Sequence, residues 1–218
     1  MIESLFPSSV ATQVATAPMW QECLLPPEEV FVERALARRR REFTAGRACA
    51  RAALAKLGVE RGPLLSAPDR TPAWPDGVVG SISHCADLCA AAVARKLEFA
   101  GIGLDVERAD PLESSLIGTV CAEEELEDAI RVTGLQAEVA AKILFSAKET
   151  VYKCSYPLTR TWWDFRDVTV RLSGPGAWTG ILPAAEWGSF APPRSLEGRF
   201  VIRGSWILTG CSLSWSAL

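Results

Sequence analysis

An α+β fold built from two similar halves is what the order of elements along this chain predicts. Helix-patterned stretches precede strand-like runs twice over, with the changeover near residue 100. The strand-like runs are short, rich in small and β-branched residues, and separated by Gly/Pro turns. The size is compatible: 218 residues, 49% hydrophobic and 22% charged, suit one large domain or two compact halves. The expected halves are 1–100 and 101–218.

The elements follow in order. Pro26-Pro27 before Glu28-Glu29 reads as a helix start, and the helical pattern runs toward Arg41. A second helical segment begins at Glu42 and closes at Gly58, a residue suited to the left-handed cap. Four prolines within 59–77 predict a loop (Pro63, Pro68, Pro72, Pro75). VVGSISHC (78–85), LCAAAVAR (88–95) and EFAGIGLDVE (98–107) read as strands, the first two joined across Ala86-Asp87 as a hairpin. CAEEELEDAIRVTG (121–134) is an acid-fronted helix ending at Gly134, and 136–156 is another, stopped by Pro157. DVTVRL, AWTGIL, RFVIRG and SWILTGCSLSW complete the chain as strands.

The net charge of −3 argues against a nucleic-acid surface. Arginine is concentrated in RRRR (38–41), Arg47 and Arg51, a density suggesting a local anion site. No run approaches the roughly 20 apolar residues that span a bilayer. MIESLFPSSVATQ has neither a basic n-region nor a long apolar h-region, so a cytoplasmic location is expected. Seven scattered cysteines then read as free thiols.

Asp105 and Glu107, two apart on a strand, aim at one face. A lone D-x-E is usually a solvated strand end. Glu149 and Lys153 are i,i+4 on a helix, ordinarily a surface pair worth about 0.3–0.5 kcal/mol, but they share their face with Phe145 and Tyr152. A hard cation accounts for all three acids: Mg²⁺ takes carboxylate oxygens and completes its shell with water and substrate phosphates. His84, the sole histidine, reads first as a structural residue. A Ser/His hydrolase lacks the G-x-S-x-G elbow, and zinc at His84, Cys85 and Cys89 lacks a fourth ligand at finger spacing. Arg40, Arg47 and Arg51 share a helical stripe, with Arg39 close to Arg47 around the helix. That is either a solvated face or a set of guanidinium forks for phosphate.

In order, RRREFTAGRACAR (39–51), PAWPDGVVGSISHC (72–85), GLDVE (103–107) and FSAKETVYK (145–153) resemble the 4'-phosphopantetheinyl transferases. The likeness is to the larger single-chain type serving siderophore, polyketide and nonribosomal peptide synthesis. It implies a pseudo-two-fold fold with the active site in the cleft between two α/β halves. The implied reaction moves phosphopantetheine from coenzyme A to a serine of an apo acyl or peptidyl carrier protein, leaving adenosine 3',5'-bisphosphate. It implies Mg²⁺, or Mn²⁺, on Asp105, Glu107 and Glu149. Arg47 and Arg39 would hold the 3'-phosphate, Ser83 and His84 the pyrophosphate, and Lys153 the phosphates opposite the metal. Glu149, or a metal-bound water, would be the base, and the carrier would dock around 111–145. The chain departs from the pattern in SAPDRTP, where Arg70 stands alone beside Asp69, and at Thr150, usually alanine or serine. The protein would be a monomer. The rival readings are a coenzyme A-binding regulator without turnover and a metal-dependent nuclease, to which the acids and Glu149-x-x-x-Lys153 are loosely similar.

Overall fold

The computed structural model describes residues 2–174, 176–183 and 193–215. It is a mixed α/β chain with two antiparallel sheets. The first contains β1 (Ala11–Val14), β2 (Val78–Cys85) and β3 (Leu88–Arg95), in the order β1-β3-β2. The second contains β4 (Phe99–Arg108), β5 (Thr169–Ser173), β6 (Ala177–Ile181), β7 (Ser195–Arg203) and β8 (Trp206–Ser214), in the order β4-β8-β7-β6-β5.

Helices cover one face of each sheet. The long helix α2 (Ala37–Lys56) follows a single turn, α1 (Pro26–Glu29), and packs Ala45, Cys49 and Ala50 against Cys89 and Ala91. On the other face of β3, Ala90, Ala92 and Ala94 join Ile102, Leu104, Val106 and Leu208, with Ile2, Leu5 and Phe6 closing the cluster. Both faces of β3 are therefore buried, as its unbroken apolar run requires. Helices α3 (Ser114–Val120), α4 (Glu123–Thr133) and α5 (Ala137–Thr159) lie on the second sheet around Ile143, Leu144, Ala147, Val151 and Trp178.

The two sheets meet along their edge strands β2 and β4. Serine hydroxyls hydrogen-bond across this join. Ser81 Oγ accepts from the Leu104 N–H at 3.1 Å, and Ser83 Oγ accepts from the Val106 N–H at 3.2 Å.

Several boundaries differ from expectation. No helix runs from Glu28 to Arg41: the chain leaves α1 after one turn and restarts at Ala37, continuing through Glu42 without a break. The cause is Glu28, which is completely buried and whose carboxylate accepts from Arg51 and from the N–H groups of Leu25 and Leu64. Burying that charge against α2 overrides local helix propensity. Pro157 does not stop α5; the helix runs on to Thr159 and ends on Arg160 in the left-handed region. Proline removes the hydrogen bond it would donate to the fourth residue before it, and here packing of the helix carries the turn through. Two short elements, β1 and α3, add to those the sequence predicts. Gly58 and Gly134 do close their helices at positive φ. The seven cysteines are free, five of them buried.

Candidate active site

The segment GIGLDVER sets the site. Its even positions, Ile102, Leu104 and Val106, enter the inter-sheet cluster, so its odd positions face α5. At Gly101 and Gly103 there is no room for a side chain: a Cβ would lie 2.4 Å from the Cys154 carbonyl oxygen and 2.1 Å from that of Thr150. The helix therefore lies directly on the strand backbone. Four helical residues rise about 6 Å and two strand residues about 6.8 Å, so the two elements stay in step. The matched pairs are Gly101 with Cys154, Gly103 with Thr150, Asp105 with Ser146, and Glu107 with Lys142.

Both carboxylates are consequently fixed by named partners. Asp105, 3% exposed, accepts at Oδ1 from Lys153 Nζ at 2.6 Å and Ser83 Oγ at 3.0 Å. Its Oδ2 accepts from Ser146 Oγ at 2.8 Å. Behind Ser146 lie Thr209 and Thr150, both fully buried, whose hydroxyls bond to one another. Glu107 Oε2 pairs with Lys142 Nζ at 2.7 Å. Burial raises the Glu107 pKa above the usual carboxylate range; Lys142 opposes this and the Asp105 charge adds to it. Burial likewise raises Glu149, against Lys153 and with the Asp105 and Glu107 charges.

A second feature lies beside this stripe. A cavity of about 690 Å³ is lined by Arg39, Phe43 and Arg47 of α2, Arg70 of the α2–β2 loop, and His84 of β2. Arg47 is buried, stacks its guanidinium 4.0 Å over the Phe43 ring and donates to Ser66 Oγ at 2.8 Å. Its Nε is buried with no hydrogen-bond partner among the described residues. Burial lowers its pKa to about 10, which Glu28 opposes while Arg39 and Arg51 reinforce it. A guanidinium in that condition lacks an anion. His84 Nε2 lies 3.1 Å from Arg39 Nη1, so that nitrogen accepts and the proton sits on Nδ1, facing Glu42 at 3.6 Å. Burial lowers the His84 pKa; Glu42 opposes that, and Arg39, Lys153 and Arg38 add to it.

Of the residues singled out in the sequence, Arg39, Arg47, Arg70 and His84 therefore share one cavity. Ser83 does not line it; alternation turns the hydroxyl to Asp105 and Lys153 instead. Arg51 pairs with Glu28 and Glu22, and Arg40 lies 3.9 Å from Glu29, so the stripe Arg40-Arg47-Arg51 is not a single phosphate face. Glu149 lines a smaller cavity of about 110 Å³ with Tyr152, Trp162 and Phe165. Among the described residues, no three His, Cys, Asp or Glu side chains stand grouped to hold a metal ion. The ammonium groups of Lys153 and Lys142 draw Asp105 and Glu107 to themselves. The carboxylates of Asp105, Glu107 and Glu149 are oxygen donors of the kind a hard cation takes, and the Asp105 charge acts on both glutamates.

Sequence reasoning passed over Lys142 and Ser146, although each stands a whole number of turns from Glu149 or Lys153, seven residues in both cases. It also left Lys148 without a role. That side chain, 3% exposed, donates to Glu125 and to the carbonyls of Val120 and Phe165, tying α5 to α4 and to the segment before β5.

Comparison with known proteins points to one family. A family model described as the 4'-phosphopantetheinyl transferase N-terminal domain matches residues 27–94, and one for the 4'-phosphopantetheinyl transferase superfamily matches 101–192. The chain belongs to the 4'-phosphopantetheinyl transferase superfamily. It is 35% identical over 224 residues to the 4'-phosphopantetheinyl transferase PptT of Mycobacterium tuberculosis, covering 98% of each chain. It is 39% identical over 210 residues to the 4'-phosphopantetheinyl transferase Svp of Streptomyces mobaraensis, covering 94% of this chain and 84% of Svp. Enterobactin synthase component D of Salmonella typhi is 30% identical over 79% of this chain and 71% of its own. Among the described residues, no helix is long and apolar enough to cross a membrane.

Proposed function

We propose that this chain transfers the 4'-phosphopantetheine group of coenzyme A to a serine hydroxyl of an apo acyl or peptidyl carrier protein, releasing adenosine 3',5'-bisphosphate. The observation that carries the assignment is the buried Arg47, whose Nε has no partner and which shares its cavity with Arg39, Arg70 and His84. Three guanidinium groups and an imidazole beside a carboxylate–lysine stripe match a multiply phosphorylated substrate.

Arg47 and Arg39 receive the 3'-phosphate, with Arg70 on the facing loop. His84, kept neutral by burial and by Arg39, has its one N–H turned to Glu42 and takes up a second proton at Nε2 as phosphate approaches. Asp105, Glu107 and Glu149 would hold Mg²⁺, or Mn²⁺. When bound, it would neutralise the pyrophosphate and polarise the attacked phosphorus. Glu149, or a water on the metal, takes the proton of the carrier serine; beside a cation Glu149 would be a weak base made effective by its position. Lys153 offsets charge on the leaving phosphate. Ser83 acts through Asp105 and Lys153, which it bridges, and not on the coenzyme.

In this reading the two sheets with their helices are pseudo-two-fold halves, 1–100 and 101–218, and substrate lies in the cleft between them. The carrier docks along 111–145, and the protein works as a cytoplasmic monomer. The test is chromatographic. Incubation with apo carrier, coenzyme A and Mg²⁺ yields adenosine 3',5'-bisphosphate, and a carrier whose acceptor serine is alanine yields none. Nucleotide release that ignores the acceptor serine would refute the reading.

A further inference from the structure

The loop that carries Arg70 is fastened at a distance. Residues 66–72 form a small hairpin: Ser66 bridges Pro72, the Ala67 N–H donates to the Thr71 carbonyl at 2.8 Å, and the Arg70 N–H donates to the Ala67 carbonyl at 2.8 Å. Arg70 sits at its tip with φ of 69°, a position that ordinarily selects glycine or asparagine. On one side the hairpin walls the arginine cavity through Ser66, Pro68 and Arg70. On the other side Asp69 faces away. Its Oδ1 accepts from the Thr71 N–H at 3.1 Å and the Thr71 hydroxyl at 2.6 Å, and its Oδ2 accepts from Arg160 Nη1 at 2.5 Å.

Arg160 is the residue that ends α5, the helix bearing Glu149 and Lys153. It too has positive φ, 52°, and its N–H donates to the Tyr156 carbonyl at 2.9 Å. Its guanidinium lies 5.8 Å from the Tyr156 ring, itself stacked on Tyr152. Among the described residues three non-glycines have positive φ: Arg70, Ala86 and Arg160. Two of the three stand at this ion pair, one on it and one beside it. Strained backbone persists where surrounding contacts over-determine it. Here the contact spans 91 positions in the chain, with Arg160 60% exposed and Asp69 27% exposed.

We propose that Asp69–Arg160 is a latch that holds the 66–72 hairpin to the end of the catalytic helix and keeps Arg70 in the cavity wall. Asp69 and Arg160 are thereby positioning residues for coenzyme binding, which they govern without touching the coenzyme. The inference rests on the reading of the cavity as the coenzyme A site. An exposed pair is weak and salt-screened, so the latch opens readily to admit coenzyme and recloses over it. Asp69 keeps its Thr71 bonds in either state, and opening releases its ties to α5, the ion pair with Arg160 and the hydrogen bond from Tyr156.

The test is calorimetric titration with coenzyme A, beside steady-state transfer kinetics, for wild type, Asp69→Asn, Arg160→Gln, Arg160→Lys and the double variant Asp69→Asn/Arg160→Gln. Asparagine keeps an acceptor for Thr71 and removes only the charge. At roughly 50 mM salt each of Asp69→Asn and Arg160→Gln weakens coenzyme A about three- to fivefold. The KM for coenzyme A rises in step, while kcat at saturating coenzyme stays within about twofold of wild type. Arg160→Lys recovers most of the affinity, the double variant binds no worse than either single, and the differences close at about 1 M salt. Single variants that bind like wild type, or a double variant whose loss is the product of the singles, would overturn the latch alone. A wild-type protein that binds no coenzyme A would overturn the cavity assignment and the latch with it.

Discussion

Replacing Gly103 by alanine tests the strand–helix match on which the site depends. The added Cβ would stand 2.1 Å from the Thr150 carbonyl oxygen, 3.0 Å from Cys154 Cβ and 3.0 Å from Cys211 Sγ. Ordinary contact begins near 3.4 Å, so the backbone of α5 must move off β4 by 3.4 − 2.1 = 1.3 Å at that point. Backbone cannot rotate away as a side-chain end can, so the strain is taken by the helix as a whole. Overpacking of this kind costs about 1–3 kcal/mol, a fall in Tm of about 2–4 °C for each kcal/mol in a chain of this length. Activity should fall further than stability. Lifting α5 separates Asp105 from Ser146 and Lys153, and a displacement of about 1 Å at reacting groups is worth about 100-fold in rate. Thermal denaturation and transfer kinetics on the same preparations measure both. Gly62→Ala is the control: in the α2–β2 loop nothing beyond its chain neighbours lies within 4 Å of its Cβ and its φ is not positive, so Tm and rate stay near wild type. A Gly103→Ala protein with wild-type Tm and rate would refute the claim that direct backbone packing sets the site.

Three further outcomes are expected. Arg47→Ala weakens coenzyme A by about 10- to 100-fold, a charge-assisted contact worth about 1.5–3 kcal/mol, and calorimetry should show a smaller loss for dephospho-coenzyme A, which lacks the 3'-phosphate. Lys148→Met costs about 3 kcal/mol, because Glu125, 7% exposed, loses its ammonium partner and keeps only the N–H groups of Ala122 and Val170; denaturant titration would show the loss, and the double change with Glu125→Gln, which removes the charge and keeps an acceptor, recovers part of it. His84 has a folded pKa below its unfolded value of about 6.5, so the stability it contributes is present above that value and is lost as pH falls below it. The groups facing it are Arg38, Arg39 and Glu42 of α2 and Lys153 of α5. His84→Gln should therefore flatten the decline in Tm between about pH 6.5 and 5 relative to wild type.

Much of this was legible in the chain because period-two alternation is strict. GIGLDVER shows which residues share a face, and the structure places Asp105 and Glu107 together on the side of α5. What alternation does not show is how near the helix comes. That depends on Gly101 and Gly103 leaving the strand bare, and it is why Ser146 and Lys142 become partners of the acids. Local signals also failed where a distant charge intervened. Pro26-Pro27-Glu28-Glu29 carries every mark of a helix start, yet Arg51 draws Glu28 inward after one turn. The same reasoning applies to the arginine run. Helical spacing grouped Arg40, Arg47 and Arg51, and only their carboxylate partners distinguish the arginine with an unpaired Nε from the two that pair with glutamates. The cavity needs the 66–72 hairpin as well as α2 and β2, and no period in the sequence brings that hairpin to Arg160.

The central claim is that the arginine cavity and the carboxylate–lysine stripe together form a phosphopantetheine-transferring site. Intact-mass measurement of an apo carrier protein, after incubation with this protein, coenzyme A and Mg²⁺, tests it most directly. The account predicts that the carrier gains one phosphopantetheine with the wild-type protein and none with Asp105→Ala or Glu149→Gln, each variant first shown to be folded by circular dichroism. No gain across several carriers would contradict the account, and full gain with both variants would remove the acids from the site.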